Sequence, residues 1–398
     1  MNKHAALRTL LIAACLPLLP TFGQGALEPD AGPAPSQKSL QEIWDAIQAQ
    51  QAEIDELRRW SAARANLAWN LVRVDTNVNV GNYSSLAFGP DGWPAISYYD
   101  GAQGDLKFTR FDGAAWVTET VDADNTVGLY TSLAFGPDGY PAIAYYDFSN
   151  EDLRFARFDG AAWNLVVVDS AGSVGIDASL AFGPDGQPAI AYADTANKDL
   201  KFARYDGATW NIETPDSAGQ VGAYASLAFG PDGQPAIAHH DEFNADLRYT
   251  VFDGVSWSNR TVEAASQVGS SCALAFGPGG RPAIAFTDTA AFALKFAWFT
   301  GTAWTNRTVD AVSAQHASLA FGPDGFPAIA YTDSGNNDLK HARYRGSDWE
   351  VETIDGFGMV GGFPDLTYGS DGQPAISYSD FGNGRLMVAW KRVFPVMP

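Results

Sequence analysis

A phrase close to Ser-Leu-Ala-Phe-Gly-Pro-Asp-Gly returns seven times along this chain of 398 residues. It places Leu86, Leu133, Leu180, Leu227, Leu274, Leu319 and Leu366 at steps of 47 residues, once 45. A tryptophan keeps the same ruler at Trp69, Trp116, Trp163, Trp210, Trp257, Trp304 and Trp349. Almost no filler separates the copies, so whatever one copy folds into, the chain must build from seven of them.

One copy, residues 179–216, shows what that unit is. The runs SLAF, PAIAY, LKFARY and WNIET are each of strand length and are separated by turn signals. Gly183-Pro184-Asp185-Gly186 is a tight turn in which proline presets φ and glycine accepts a positive φ. Asp206-Gly207 makes another hairpin turn, and Asp194 to Asp199 a longer loop between them. Three hairpins thus join four antiparallel strands, and a looser connector, Ser217–Ala225, leads to the next unit. Four strands in 40–50 residues, repeated seven times, specify an all-β seven-bladed β-propeller of four-stranded antiparallel blades. The near-continuous apolar runs fit sheets packed on both faces.

The ends of the array predict how the ring closes. Trp69–Val74 matches a fourth strand before any first strand has occurred, and Leu386–Trp390 is a third strand with no fourth after it. The N-terminal strand 69–74 is therefore expected to complete the last blade and so protect a sheet edge.

Before the array, residues 1–26 read as an export signal: Lys3 and Arg8, an apolar stretch Thr9–Pro20, then Gly23, Gly25 and Ala26. A lipobox ending at Cys15 is the alternative, which would leave the protein lipid-anchored. Residues 27–38 form a Pro- and Gly-containing linker. Ser39-Leu-Gln-Glu42 is a capping box opening a helix over 39–66. In it Leu40, Ile47 and Ile54 recur every seven residues, with Ile43, Gln50 and Leu57 three further on, a short coiled-coil seam. The helix is expected either to pack on its own propeller, which occupies 67–398, or to hold a homo-oligomer together. No stretch is long enough for a transmembrane segment.

The formal charge of −21 repels phosphate backbones, which argues against nucleic acid as a partner. Of two cysteines, Cys15 lies in the signal, so the mature chain has no disulfide and relies on packing. Cys272 reads as a buried small hydrophobe. No cofactor is implied.

Three sets of recurring residues are candidates for function. The tryptophans suit wedges between blades. An aspartate ends the second strand of every copy: Asp100, Asp147, Asp194, Asp241, Asp288, Asp333 and Asp380. These can bind backbone N–H groups of their own loops and pair with the following Lys or Arg, or they can form an acidic rim for polar ligands or cations. Two carboxylates per loop fall short of a calcium site, so no metal is expected. The third set stands three residues before the ruler leucine and varies: Tyr83, Tyr130, Asp177, Tyr224, Ser271, His316 and Phe363. There the connector meets the innermost strand, near the central channel, where one residue per blade converges. The pair His239/His240 replaces tyrosines found in other copies, and adjacent strand residues face opposite ways, which argues against one metal ion. The copy around 271–304 is an outlier, with Gly279 for aspartate, Arg281, Ala293 and Thr300.

The seven-copy arrangement over residues 69–394 resembles bacterial β-propellers whose blades share an SLA…G.P.ISYYD…LKYA..DG..W pattern. Its strand order and DG…W step are also similar to fucose-binding lectin propellers and, more distantly, to sialidase-type propellers. The resemblance implies the fold. It does not carry a site across: Ala95 and Phe108, or Ala142 and Phe155, stand where the fucose lectins have an arginine and a glutamate, and the sialidase S-x-D-x-G-x-x-W box is absent.

The function expected from the sequence is a secreted, periplasmic or cell-surface binding scaffold that is not an enzyme. It would recognise a glycan or a protein at the channel face through the varied ring and the neighbouring aspartates. A propeller hydrolase or lyase is the first alternative, and a structural or self-assembling surface protein the second.

Overall fold

The computed structural model describes residues 69–75, 77–264 and 267–391. The signal, the linker, the heptad helix and Cys15 lie outside these residues. The described chain forms seven four-stranded antiparallel sheets, the seven-bladed propeller expected from the repeat. In the first blade the strands run from the channel outward as Val80–Phe88, Pro94–Asp100, Asp105–Phe111 and Trp116–Asp122. The next five blades repeat this order over residues 127–169, 174–216, 221–263, 268–310 and 314–355.

The seventh blade closes the ring. Its inner strands are Gly362–Tyr368, Pro374–Asp380 and Arg385–Trp390, and its outer strand is Asn70–Arg73. Asn70 pairs with Trp390 and Arg73 with Met387, antiparallel, and the Val74 N–H donates to the Leu386 carbonyl at 2.9 Å. Chain ends more than 300 residues apart thus share one sheet.

The core is not one mass but seven layers, one at each junction between neighbouring blades. Second strands such as Pro141–Asp147 are buried along their whole length, as sheets covered on both faces must be. Outer strands depart from that expectation: Trp163–Asp169 is exposed through its middle because nothing lies beyond it. The tryptophan ruler fills the wedge that opens outward. Trp163 meets Phe108 of the preceding blade edge-on at 5.2 Å and Phe158 of its own at 5.5 Å. Trp210, Trp257, Trp304 and Trp349 repeat this against Phe155, Phe202, Tyr249 and Phe296.

Candidate functional site at the channel mouth

The innermost strands are not regular. In the first blade the pairing with the second strand slips twice, between Val80 and Asn82 and between Asn82 and Ser85. The first slip is made by Gly81, at φ +96°, because a Cβ there would lie 2.8 Å from Leu386 Cα of the neighbouring blade. The second puts Tyr83 in the left-handed region, and its counterparts share that conformation: φ lies between 48° and 55° at Tyr83, Tyr130, Asp177, Tyr224, Ser271, His316 and Phe363. For residues with a Cβ this conformation costs about 1 kcal/mol or more each. These are the residues that vary between copies, and all seven line the mouth of the channel, a cavity of ≈ 350 Å³.

The mouth has two unlike halves. On one side the rings of His316, Phe363, Tyr83 and Tyr130 follow one another at centroid separations of 4.4, 4.4 and 4.5 Å. On the other stand Asp177, Tyr224 and Ser271, with the Tyr224 N–H donating to Asp177 Oδ2 at 2.6 Å. Here the mouth widens sideways into a cavity of ≈ 480 Å³ that also reaches Lys198, Gln220 and Glu242. The Gln220 side-chain amide donates to Glu242. Burial raises the Asp177 carboxyl to about 6, opposed by the Tyr224 N–H and assisted by the Glu242 charge. Burial alone lowers the His316 imidazole to about 4, so it is neutral at physiological pH.

Below the mouth runs a belt that the sequence reading passed over. Ser85 Oγ accepts the Leu133 N–H of the next blade at 3.0 Å. Ser132, Ser179 and Ser226 accept the N–H of Leu180, Leu227 and Leu274 in the same way, each at 2.9 Å, and Ser318 accepts that of Leu366 at 3.0 Å. Asp365 takes the serine's place in the last blade, accepting from the Leu86 N–H at 2.7 Å, from Ser318 Oγ at 2.9 Å and from Ser85 Oγ at 3.2 Å. At Ala273 the belt has no hydroxyl. The serine before five of the seven ruler leucines was the available signal, hidden because it reads equally well as an ordinary strand residue.

The aspartates ending the second strands take the first of the two roles the sequence allowed them, bonding their own loops. All seven, Asp100, Asp147, Asp194, Asp241, Asp288, Asp333 and Asp380, are buried. Asp147 shows the pattern: Oδ1 accepts the N–H groups of Ser149 and Asn150 at 3.0 Å, and Oδ2 accepts Asn150 Nδ2 at 2.9 Å and pairs with Arg154 Nε at 2.7 Å. Loop N–H groups of Gln103, Asn197, Asn244, Ala291, Gly335 and Asn383 bind the other six alike. Each carboxylate is spent in ordering its own loop. Asp194 borders the lateral cavity, but its oxygens are taken by Asn197.

Two further candidates resolve as packing. His239 is buried with Nε2 at 2.9 Å from Thr250 Oγ1, while His240 turns the other way, toward Tyr224. No group of three metal-ligating side chains occurs among the described residues. Cys272 is buried, its thiol 3.0 Å from the Tyr224 carbonyl and its pKa pushed up by burial, which leaves it a poor nucleophile. Among the described residues no helix is long and apolar enough to cross a membrane.

No family model and no curated protein matches the chain. Solved structures do. A PL25 ulvan lyase superposes with a TM-score of 0.55 at 11% identity, covering 81% of this chain and 94% of its own. YCF48 from Cyanidioschyzon merolae gives 0.53 at 10%, over 80% and 98%. The SapL1 lectin, in complex with α-methyl fucoside, gives 0.48 at 13%, over 70% and 97%. This chain is a seven-bladed β-propeller. At such identities the likeness speaks for the fold alone.

Proposed function

We propose that the protein is an exported, non-catalytic binding scaffold that holds a glycan in the channel mouth. The observation that carries this reading is the division of the mouth into an aromatic arc and a polar arc, set by seven residues in a costly backbone conformation. Ring faces such as those of Tyr83 and Phe363 suit the apolar faces of sugars, while Asp177, Lys198 and Glu242 suit hydroxyl groups. Strain retained at the positions that differ from blade to blade points to use. Exposed Phe148 and Phe381 continue the aromatic surface outward, meeting Tyr146 and Phe363 at 6.4 and 6.0 Å. If the N-terminal helix joins several copies, weak sites gain through avidity.

The raised Asp177 carboxyl beside Glu242 favours a second reading, a hydrolase or lyase in which Asp177 moves a proton. One experiment separates the two. The full chain is passed over an immobilised glycan panel, each bound glycan is followed by calorimetry, and its products are analysed. Binding without turnover, weakened roughly tenfold or more by Tyr83→Ala, is the expected result. Products that disappear with Asp177→Asn establish the enzyme instead. A panel with no binding, or binding untouched by Tyr83→Ala, removes the glycan reading.

A further inference from the structure

The face opposite the mouth carries its own repeated device. An arginine near the end of the third strand pairs with the aspartate of the first turn and lies over an aromatic ring of the next blade. Arg110 pairs with Asp91 at 2.8 Å over Phe135, Arg157 with Asp138 at 2.5 Å over Phe182, and Arg204 with Asp185 at 2.9 Å over Phe229. Arg343 pairs with Asp324 over Tyr368. In the fifth blade both partners are replaced, the arginine by Trp298 and the aspartate by Gly279. A Cβ built on Gly279 meets nothing within 4 Å. Where the pair is missing there is a cleft of ≈ 330 Å³ between the fifth and sixth blades, walled by rings that include Trp298, Phe321 and Tyr344.

Its charged side chains are both cations. At two junctions the wedge tryptophan donates to a glutamate of the preceding outer strand, Trp163 Nε1 to Glu119 at 2.9 Å and Trp257 Nε1 to Glu213 at 2.6 Å, whereas the buried Nε1 of Trp116, Trp304 and Trp349 meets no acceptor among the described residues. At this junction Arg307 stands in the glutamate's place, and the buried Trp349 Nε1 has no acceptor among the described residues. The Arg307 guanidinium lies 5.3 Å from the Trp298 ring and 5.6 Å from that of Tyr344, with one bond of 3.2 Å to the Ser347 carbonyl. Arg281 also lines the cleft. Neither arginine has a carboxylate partner among the described residues. Arg260 leaves Trp304 without an acceptor one junction earlier, but Gln234 stands there in place of Arg281.

We infer that this cleft is a second binding site, for a small ring compound bearing a carboxylate. The ligand's carboxylate takes the part of the missing acidic side chains, accepting from Trp349 Nε1–H and from the arginines, and its ring lies against the aromatic wall. A chain of net charge −21 holds such an anion only where two cations go unpaired.

The test uses the full chain and four probes: benzoate and methyl glucuronide, with benzamide and methyl glucoside as their uncharged counterparts. Ligand-observed NMR and calorimetry are expected to show binding of at least one carboxylate and of neither counterpart. Arg307→Gln should weaken it tenfold or more. The double variant Gly279→Asp/Trp298→Arg restores the pair used by four other blades, so it should keep its melting temperature and lose binding. Any share of the two sugar probes' binding that Tyr83→Ala removes belongs to the channel mouth and is subtracted, while benzoate binding should be the same with and without that substitution. Equal binding of a neutral counterpart, binding that survives the double variant, or no carboxylate binding up to roughly 20 mM overturns the site.

Discussion

Tyr192 and Tyr145 occupy the same place in successive blades, yet their hydroxyl groups do not matter equally. Each donates to the aspartate that ends the preceding outer strand, Tyr192 to Asp169 at 2.7 Å and Tyr145 to Asp122 at 2.6 Å. Asp122 Oδ2 also accepts Arg154 Nη1 at 3.0 Å, whereas Tyr192 is the only partner found for Asp169 Oδ2 among the described residues. Tyr192→Phe therefore strands a buried carboxylate oxygen and should cost about 1–3 kcal/mol, while Tyr145→Phe should cost about 1 kcal/mol or less. Urea denaturation of the two variants measures the difference; equal losses would mean that Arg154 contributes nothing. The substitution of His239 for this tyrosine follows the same geometry. Its imidazole, held to about 4 by burial, stands 3.7 Å from Asp216. Since the unfolded imidazole titrates higher, this group contributes stability that is lost as the pH falls through 6.5 toward 4.

At the scale of the strand, the irregularity of the innermost element is what makes the site. Gly128, at φ +93°, lets the second blade approach the first so closely that a Cβ would stand 2.7 Å from Leu106 Cα. Gly207, in an outer hairpin turn, has a similar φ of +97° but open space around it. Gly128→Ala combines backbone strain with collision and should lose about 3 kcal/mol or more, whereas Gly207→Ala should lose about 1 kcal/mol. Thermal unfolding compares them, and a Gly128→Ala loss no greater than that of Gly207→Ala would show that the close approach can relax. The sixth blade does without this glycine because its connector is two residues shorter, and Ala314 pairs directly with Asp333 where Val268 pairs with Asp288. The positions of strands and turns were legible because Gly-Pro-Asp-Gly and Asp-Gly act on their immediate neighbours. The second bulge was not, since Tyr83 and Phe363 are poor residues for a positive φ and nothing in their type announces it.

For the whole molecule, stability rests on ring closure, because each blade buries its faces only against its neighbours. The Val74 N–H bonds the Leu386 carbonyl, and the alternation of an antiparallel ladder places the Val72 N–H toward Val388. Val72→Pro removes that donor and should lower the melting temperature by at least about 3 °C. Loosening the clasp also uncovers the edge of Arg385–Trp390, so the variant should self-associate with rising concentration in light scattering. A variant as stable and monodisperse as the parent would mean that the interblade layers alone hold the ring.

The number of blades, the order of strands within them and the closing strand were all determined by the sequence. They depend on local turn chemistry and on a spacing of 47 residues that repeats along the chain. The tertiary structure decided which recurring residues are free to act. It turned the seven second-strand aspartates into their own loops, stacked His316, Phe363, Tyr83 and Tyr130 into one arc, and left Arg281 and Arg307 of the fifth blade without carboxylates among the described residues. Those outcomes belong to side chains that meet across blade junctions, and a one-dimensional repeat does not say which of its copies will face one another, at what angle, or with what left over.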